Sequence, residues 1–364
     1  PWTGAEQEGA VPWLTDAIGQ GGICVRRHPG GGDDSPADGP PEGERDVQDA
    51  APLYTRHEGA PVPPGLGMLV ALTGHMDAGR VARQVRAALH EHLTHRTVVS
   101  FDVDSMFDYR ARRPRLRFDR DRYRDLRLPA LEVQLVEDLL GHPFLLLSGP
   151  EPDFRWQAVT EAVLGLAQEW EVDSLTFLDA APLPVPHTRR LGVTTHGSRA
   201  DAVEGLSTWS PEADIVAGLL QMLELRAEEA DLPTAGYTVH VPHYVAEASF
   251  PQAAVAALEY AGAAMGLMLP SDDLRDASRD IEAELERQVS GSGEIQQMIA
   301  GLERNYDQNA EDQERSLLET EQGLPDGDEL ASAVEAYLAA RDAGGGSAPA
   351  QEDGPGRPST DDGD

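Results

Sequence analysis

Lysine is absent from this 364-residue sequence, so arginine supplies all 29 of its basic side chains. This absence excludes a Walker-type lysine for a nucleotide phosphate, a Schiff-base lysine and a lysine general base. Cys24 is the single cysteine, which excludes an internal disulfide framework and a thiolate metal cluster. No apolar run approaches the roughly 18 residues that a membrane-spanning helix needs. No basic-then-apolar start typical of a secretory signal is visible either, so we expect a cytoplasmic protein.

Acidic residues outnumber basic ones: 64 Asp and Glu side chains against 29 arginines give the chain a formal net charge of -35. Such a chain repels a polyanion over most of its surface, so nucleic-acid binding is not expected. The sequence also has no GxSxG motif, no Walker A motif and no phosphate-cradling glycine fingerprint after a strand. We therefore assign no catalytic residue and expect no cofactor.

Composition divides the chain into four parts. The first and last are rich in Gly, Pro, Asp and Glu, which cannot bury enough apolar surface to offset the entropy of ordering. The third shows only charged helical stretches with thin apolar stripes, near 272–289, 293–322 and 327–341. The predicted parts are a disordered tail over 1–64, an α/β domain over 65–270, a small helical domain or arm over 271–341 and a flexible acidic tail over 342–364.

An alternation of strands and helices indicates the fold class of the second part. Residues 144–147 are fully apolar, as in a strand buried on both faces, and a helix follows with Val159, Val163 and Leu166 on one face. This unit is half of a βαβ motif. The same pattern predicts further strands at 68–72, 97–103, 131–136, 175–178, 191–195 and 237–241. Further helices are predicted from about 81, from about 212 with Ile215 facing inward, and from 251.

Polar side chains gather in the turns that follow the predicted strands. In an open α/β sheet, ligands bind beyond the carboxyl ends of the strands, so these turns define a candidate pocket. Its predicted residues are Asp77, Asp104, Asp108, Arg110, Glu151, Asp153, Trp156, His187, Thr188, Arg189, His243 and Tyr244.

The chemistry of these side chains leaves alternatives open. The histidines with acidic neighbours suit metal binding or acid–base catalysis, but they lie far apart in the sequence, and structural hydrogen bonding is the commoner role; no metal site is expected. Glu151 and Asp153 suit a catalytic carboxylate pair, or they cap the helix that starts near Trp156. We favour the cap for Asp153.

Nine arginines crowd the segment from Tyr109 to Arg127, interleaved with Asp119, Asp121 and Asp125. This positive segment could grip an anion or an acidic partner surface. The alternative is a solvated hairpin whose arginines and aspartates pair with each other, and we favour it for most of these residues. Arg110 and Arg113, nearest the strand end, are the exceptions.

Five ordered motifs resemble one known family. They are DAG at 77–79, FDVDSMFDYRARRP at 101–114, LLLSGPEPDFRW at 145–156, VPHTRR at 185–190 and VPHY at 241–244. Together they resemble the PAC2 family, named for proteasome assembly chaperone 2, in its actinobacterial branch with a C-terminal helical region. The resemblance covers roughly residues 65 to 310.

The resemblance implies a three-layer α/β/α sandwich similar to nucleoside phosphorylases. It also implies a role, since eukaryotic relatives assemble the proteasome core and archaeal relatives bind proteasomes. Proteasome-docking relatives end in a hydrophobic residue, a tyrosine and one further residue. This sequence ends in Asp362-Gly363-Asp364, so docking through such a tail is not expected.

Two functional hypotheses follow. The first is a non-enzymatic assembly chaperone or adaptor, with a protein partner that includes proteasome subunits as candidates, and with homo-oligomerisation. The alternative is a protein that binds a nucleoside-like or anionic small molecule, or a hydrolase or phosphorylase-like enzyme, at the strand-end pocket. The absence of a standard catalytic motif favours the first hypothesis.

Overall fold

The structure is a computed structural model that describes residues 52–59, 61–208 and 214–321, with the side chains described up to residue 309. The chain divides into two units, residues 1–303 and 304–364. The described part of the second unit is the continuation of one long helix.

The described residues form strands and helices that alternate along the first unit. The strands are β1 (Tyr54–Arg56), β2 (Gly67–Thr73), β3 (His95–Phe101), β4 (Arg115–Asp119), β5 (Arg122–Arg127), β6 (Glu132–Glu137), β7 (Pro143–Pro150), β8 (Ser174–Leu183), β9 (Val193–His196) and β10 (Thr234–Pro242). The helices are α1 (Val81–His92), α2 (Trp156–Glu169), α3 (Ala200–Val203), α4 (Leu219–Glu229), α5 (Pro251–Met265), α6 (Asp272–Ser290) and α7 (Gly293–Glu321).

Eight strands form one mixed sheet in the order β1-β3-β6-β7-β2-β8-β10-β9. The four central strands, β7, β2, β8 and β10, are parallel, whereas β1, β3, β6 and β9 pair antiparallel at the two sides. Strands β4 and β5 form a separate antiparallel hairpin. The carboxyl ends of the four parallel strands therefore lie along one edge of the sheet, which we call the carboxyl edge.

Helices cover both faces of this sheet, which gives three layers. Successive side chains of a strand point to opposite faces; in β2, Leu69 joins the apolar cluster under α1 and α5, whereas Met68 and Val70 join the cluster under α2 and α4. The predicted α/β/α sandwich is confirmed. In the described residues, no helix combines the length and apolarity needed to cross a bilayer.

Two predicted boundaries were wrong. Order was predicted to begin at Gly65, but Tyr54–Arg56 pairs with β3 as an edge strand of the main sheet. The helix predicted from residue 212 begins at Leu219, and Ile215 is 68% exposed rather than buried. The edge strand has three residues and so no periodic signal of its own, and its pairing with β3 decides its structure. The start of α4 is fixed by a distant residue, because the Glu151 carboxylate accepts the Leu219 N–H.

The helices after residue 270 begin within the first unit. Leu285 of α6 and Ile295 and Ile299 of α7 belong to the same apolar cluster as α1 and α5. Up to Glu303, this segment therefore shares the core of the α/β body. The helix predicted at 327–341 lies outside the described residues.

Candidate functional site

Three acidic side chains meet at the carboxyl edge. Asp77 follows β2, Glu151 follows β7 and Asp179 lies in β8. An isolated parallel bridge joins Asp77 to Ala180, which places Asp77 beside Asp179. The sequence predicted the first two residues for this edge but did not include Asp179.

Burial raises the pKa of two of these carboxyl groups, those of Asp77 and Asp179. The Asp77 carboxylate accepts the Ala82 N–H at 2.8 Å, at the start of α1, yet burial raises its pKa to about 6. Burial likewise raises the pKa of Asp179 to about 7, and the charge of Asp77 adds to the rise. Its two oxygens accept the Ala180 N–H at 2.8 Å and the Gln221 side-chain N–H at 2.6 Å. A neighbouring negative charge and a low dielectric both favour the neutral acid.

Glu151 is fixed by contacts that leave it little space. One of its oxygens accepts the N–H of Leu219, at the first turn of α4. A Cβ atom at Gly74 would lie 2.7 Å from one Glu151 oxygen, and one at Gly218 would lie 2.6 Å from the other. The cavity beside Glu151 and Asp179 has a volume of about 10 Å³, which is room for about one water molecule.

Helix α4 carries a second, polar link to the sheet. The His196 Nδ1 lies 2.6 Å from a Glu224 oxygen and its Nε2 lies 3.2 Å from the Thr238 hydroxyl. Burial lowers the pKa of His196, but the hydrogen bond to Glu224 and the negative charges of Glu224, Asp179 and Glu228 together outweigh that effect, so the pKa is raised. Gly236 makes room for this imidazole, since a Cβ there would lie 2.0 Å from its Cε1.

A second group of predicted residues surrounds Asp153. One Asp153 oxygen accepts the Asp108 N–H at 2.8 Å, and the other lies 3.1 Å from the Arg112 guanidinium. Asp104 accepts the Tyr109 hydroxyl at 2.5 Å. The predicted cap was wrong, because Arg155 occupies the N-cap of α2 and no side chain caps that helix. Asp153 instead fixes the loop between β3 and β4.

Arg112, and not Arg110 or Arg113, is the arginine that joins this group to the carboxyl edge. Its guanidinium donates to the Glu151 carbonyl at 2.6 Å and lies 5.7 Å from the centre of the Phe107 ring. Arg110 contributes its backbone N–H to Asp108 at 2.8 Å, and its side chain is exposed. The sequence offered no signal for this choice, since Asp153 lies 41 residues beyond Arg112.

Replacing Arg112 with alanine is expected to lower the free energy of unfolding by about 2 kcal/mol, because it removes a half-buried ion pair and a charged hydrogen bond. Arg110→Ala is the matched control and should change it by less than about 0.5 kcal/mol. Urea denaturation of the two variants measures the difference. Equal losses in both would contradict the role given to Arg112.

Trp156 makes a structural contact. Its indole N–H donates to the Pro152 carbonyl at 2.6 Å, which holds the proline-framed turn against the first turn of α2.

The third group joins the loop after β8 to the turn after β10. The Tyr244 hydroxyl accepts the backbone N–H of His187 at 2.8 Å and lies 2.7 Å from His187 Nδ1. Burial lowers the pKa of His187 and raises that of Tyr244, so both are neutral near pH 7. His243 is exposed beside the Tyr244 ring.

Thr188 and Arg189 contact α7 rather than an open pocket. The Thr188 hydroxyl donates to Glu303 at 2.5 Å, and Arg189 lies 3.1 Å from the same oxygen. These two contacts fasten the first part of α7 to the loop after β8.

The predicted residues therefore fall into three hydrogen-bonded groups. Sequence analysis left out Asp179, Gln221, Glu224 and Arg112; a signal was available for Asp179, which directly follows a predicted strand. A cavity of about 470 Å³ lies at the opposite edge, where β2, β7 and β8 begin.

One group of side chains in the described part of the chain has the spacing of metal ligands. Ligand atoms of Glu91, His92 and Asp273 all lie within 4.8 Å of one another. All three residues are exposed and the Asp273 carboxylate already contacts His92, so the arrangement alone does not define a metal centre.

These features describe an α/β/α protein in which polar side chains at the carboxyl edge form hydrogen bonds with other residues of the same chain. The sequence profile of the PAC2 family matches residues 71–289. That match covers more than half of the chain, and this chain belongs to the PAC2 family.

Two solved structures of proteins of unknown function are similar to it over most of its length. One, from Corynebacterium glutamicum, is 33% identical with a TM-score of 0.69, covering 71% of this chain and 98% of that one. The other, from Mycobacterium tuberculosis, is 34% identical with a TM-score of 0.69, covering 75% and 95%.

A more distant structure shares the fold. A proteasome-assembly chaperone homologue from Mycobacterium tuberculosis is 24% identical, with a TM-score of 0.59, and covers 64% of this chain and 100% of its own. Among curated proteins, no sequence matches this chain.

Proposed function

We propose that this protein is a non-enzymatic assembly chaperone or adaptor that works by binding other proteins in the cytoplasm. Its proposed partners are proteasome subunits, together with further copies of itself. The distant Mycobacterium tuberculosis structure is of a proteasome-assembly chaperone homologue, which supports the proposed partner. Membership of the PAC2 family supports the proposed class of function.

The observation that carries the proposal is that the carboxyl edge has little open space and its polar groups are already hydrogen-bonded. An α/β enzyme needs open space and uncommitted polar groups there. In this chain the Glu151 carboxylate binds Leu219, Asp179 binds Gln221 and the His187 imidazole binds Tyr244. The cavity beside the first two holds about 10 Å³, far below the roughly 300 Å³ typical of a ligand pocket.

The alternative function, a small-molecule binder or a hydrolase or phosphorylase-like enzyme at this edge, has one observation in its favour. The raised pKa values of Asp77 and Asp179 are of the kind that active sites contain. Burial of structural carboxyl groups produces the same shifts, so we rank this alternative second.

A native pull-down from host extract, read by mass spectrometry, tests the proposal with the full chain as bait. Because the net charge of -35 attracts basic proteins without specificity, the control bait is an unrelated protein of similar size and net charge. We expect proteasome core subunits at least about tenfold enriched over the control. The absence of any protein enriched over the control would overturn the proposal.

A further inference from the structure

The β4–β5 hairpin exposes four large apolar side chains. All six residues of β5 and four of the five in β4 are exposed. The exposed fractions are 47% for Leu116, 62% for Phe118, 73% for Tyr123 and 60% for Leu126. Clustered apolar exposure of this kind marks an interaction surface.

One side of the hairpin carries Leu116, Phe118 and Tyr123. Phe118 and Tyr123 are directly opposite in the ladder, with ring centroids 5.2 Å apart. Leu116 is two residues from Phe118 and so lies on the same face. A two-stranded hairpin alone is at best marginally stable in water, so this apolar face is expected to be covered.

The other side of the hairpin is positively charged. Arg117 is opposite Arg124 in the ladder, and the described ion pairs of the hairpin are Arg122 with Asp121 and Arg124 with Asp119. The pairing predicted from the sequence is thus confirmed for these two arginines. Arg115, Arg117 and Arg127 have no ion-pair partner among the described residues.

Charge complementarity indicates which partner covers the hairpin surface. Residues 109–128 contain nine arginines and three aspartates, a net charge of +6, which leaves -41 for the rest of the chain's total of -35. We propose that the hairpin of one copy docks on the acidic body of a second copy of this chain. Two hairpins facing each other would bring like charges together, so each hairpin is placed against the acidic body of another copy, either reciprocally in a two-fold dimer or head-to-tail.

This inference shares with the proposed function the premise that the protein works through protein contacts, but it is tested separately. Sedimentation velocity at about 50 μM, well above the Kd of a stable complex, gives the mass of the parent chain and of two variants. Phe118→Ser with Tyr123→Ser removes the apolar face, and Arg115→Glu with Arg117→Glu reverses charge. Leu225→Ser is the matched control, since Leu225 is 56% exposed on α4.

We expect an oligomer for the parent and the control, and a monomer for both double variants with an unchanged melting temperature, because the hairpin lies outside both apolar clusters. Raising the salt to about 1 M should weaken the parent oligomer, since exposed charges are then screened. A monomeric parent, or double variants that keep the parent's mass, would overturn the inference. If the double variants lose only the partner found by pull-down, the hairpin binds that partner; self-docking through the hairpin is then wrong, while the proposed binding of other proteins stands.

Discussion

Replacing Gly149 with alanine is expected to lower the free energy of unfolding by about 4 kcal/mol or more, enough to unfold a marginally stable domain. Gly149 has φ of +147° near the end of β7, a conformation that side chains disfavour. A Cβ atom would lie 2.3 Å from the Ala130 carbonyl oxygen and 2.8 Å from the Leu131 Cα. Both obstacles are backbone atoms, so no side-chain rotation relieves the overlap.

Gly165→Ala is the matched control for this prediction. Gly165 is exposed in the middle of α2, and a Cβ there meets nothing within 4 Å. Alanine should stabilise that helix by up to about 1 kcal/mol. Thermal and urea denaturation of both variants make the comparison, and a Gly149→Ala protein as stable as the parent would show that β6 and β7 can separate at that point.

Gly149 also shows which parts of the fold were predictable. The apolar residues 144–147 predicted β7 and its burial, and the structure has β7 at Pro143–Pro150. Strands of this kind are set by local composition, since a fully apolar run can lie only in the interior. The antiparallel approach of β6 that makes glycine necessary at position 149 depends on long-range pairing, which the sequence does not display.

The candidate site was predicted less completely for the same reason. Asp77 and Glu151 were assigned to the strand ends because each follows an apolar strand. The partners that set their chemistry, Asp179 and the first turn of α4, come from distant segments. Residue 153 was predicted as a cap from its position before a helix, but its contact with Arg112 decided its role.

Asp179 is expected to make the folded protein less stable as the pH rises from about 5.5 to about 8.5. Buried His240, whose pKa burial lowers to about 4, acts in the opposite direction, so the Asp179 contribution is measured as the difference between the parent and an Asp179→Asn variant. The pKa of Asp179 is about 7 in the folded chain, above the value of 3.8 for a solvated aspartate. A raised folded pKa favours the neutral acid, so its stabilising effect is complete below about pH 4 and is lost as the pH rises through about 7. Over the measured window Asp179 alone accounts for about 2 kcal/mol. The contribution of Asp77 to stability, with a folded pKa of about 6, also falls as the pH rises.

Asp179→Asn should remove this contribution from the pH profile, because an amide cannot ionise. The variant disturbs a hydrogen bond from Gln221 and is expected to lose about 1 kcal/mol at low pH, so the slope of stability against pH is the diagnostic quantity. Asp280→Asn, an exposed position on α6, is the control and should keep the parent's slope. If Asp179→Asn keeps the parent's slope instead, Asp179 is ionised in the folded protein, and the nearby imidazole of His196, whose pKa the charge of Asp179 raises, is the positive charge that offsets it. That result would contradict the raised pKa of Asp179.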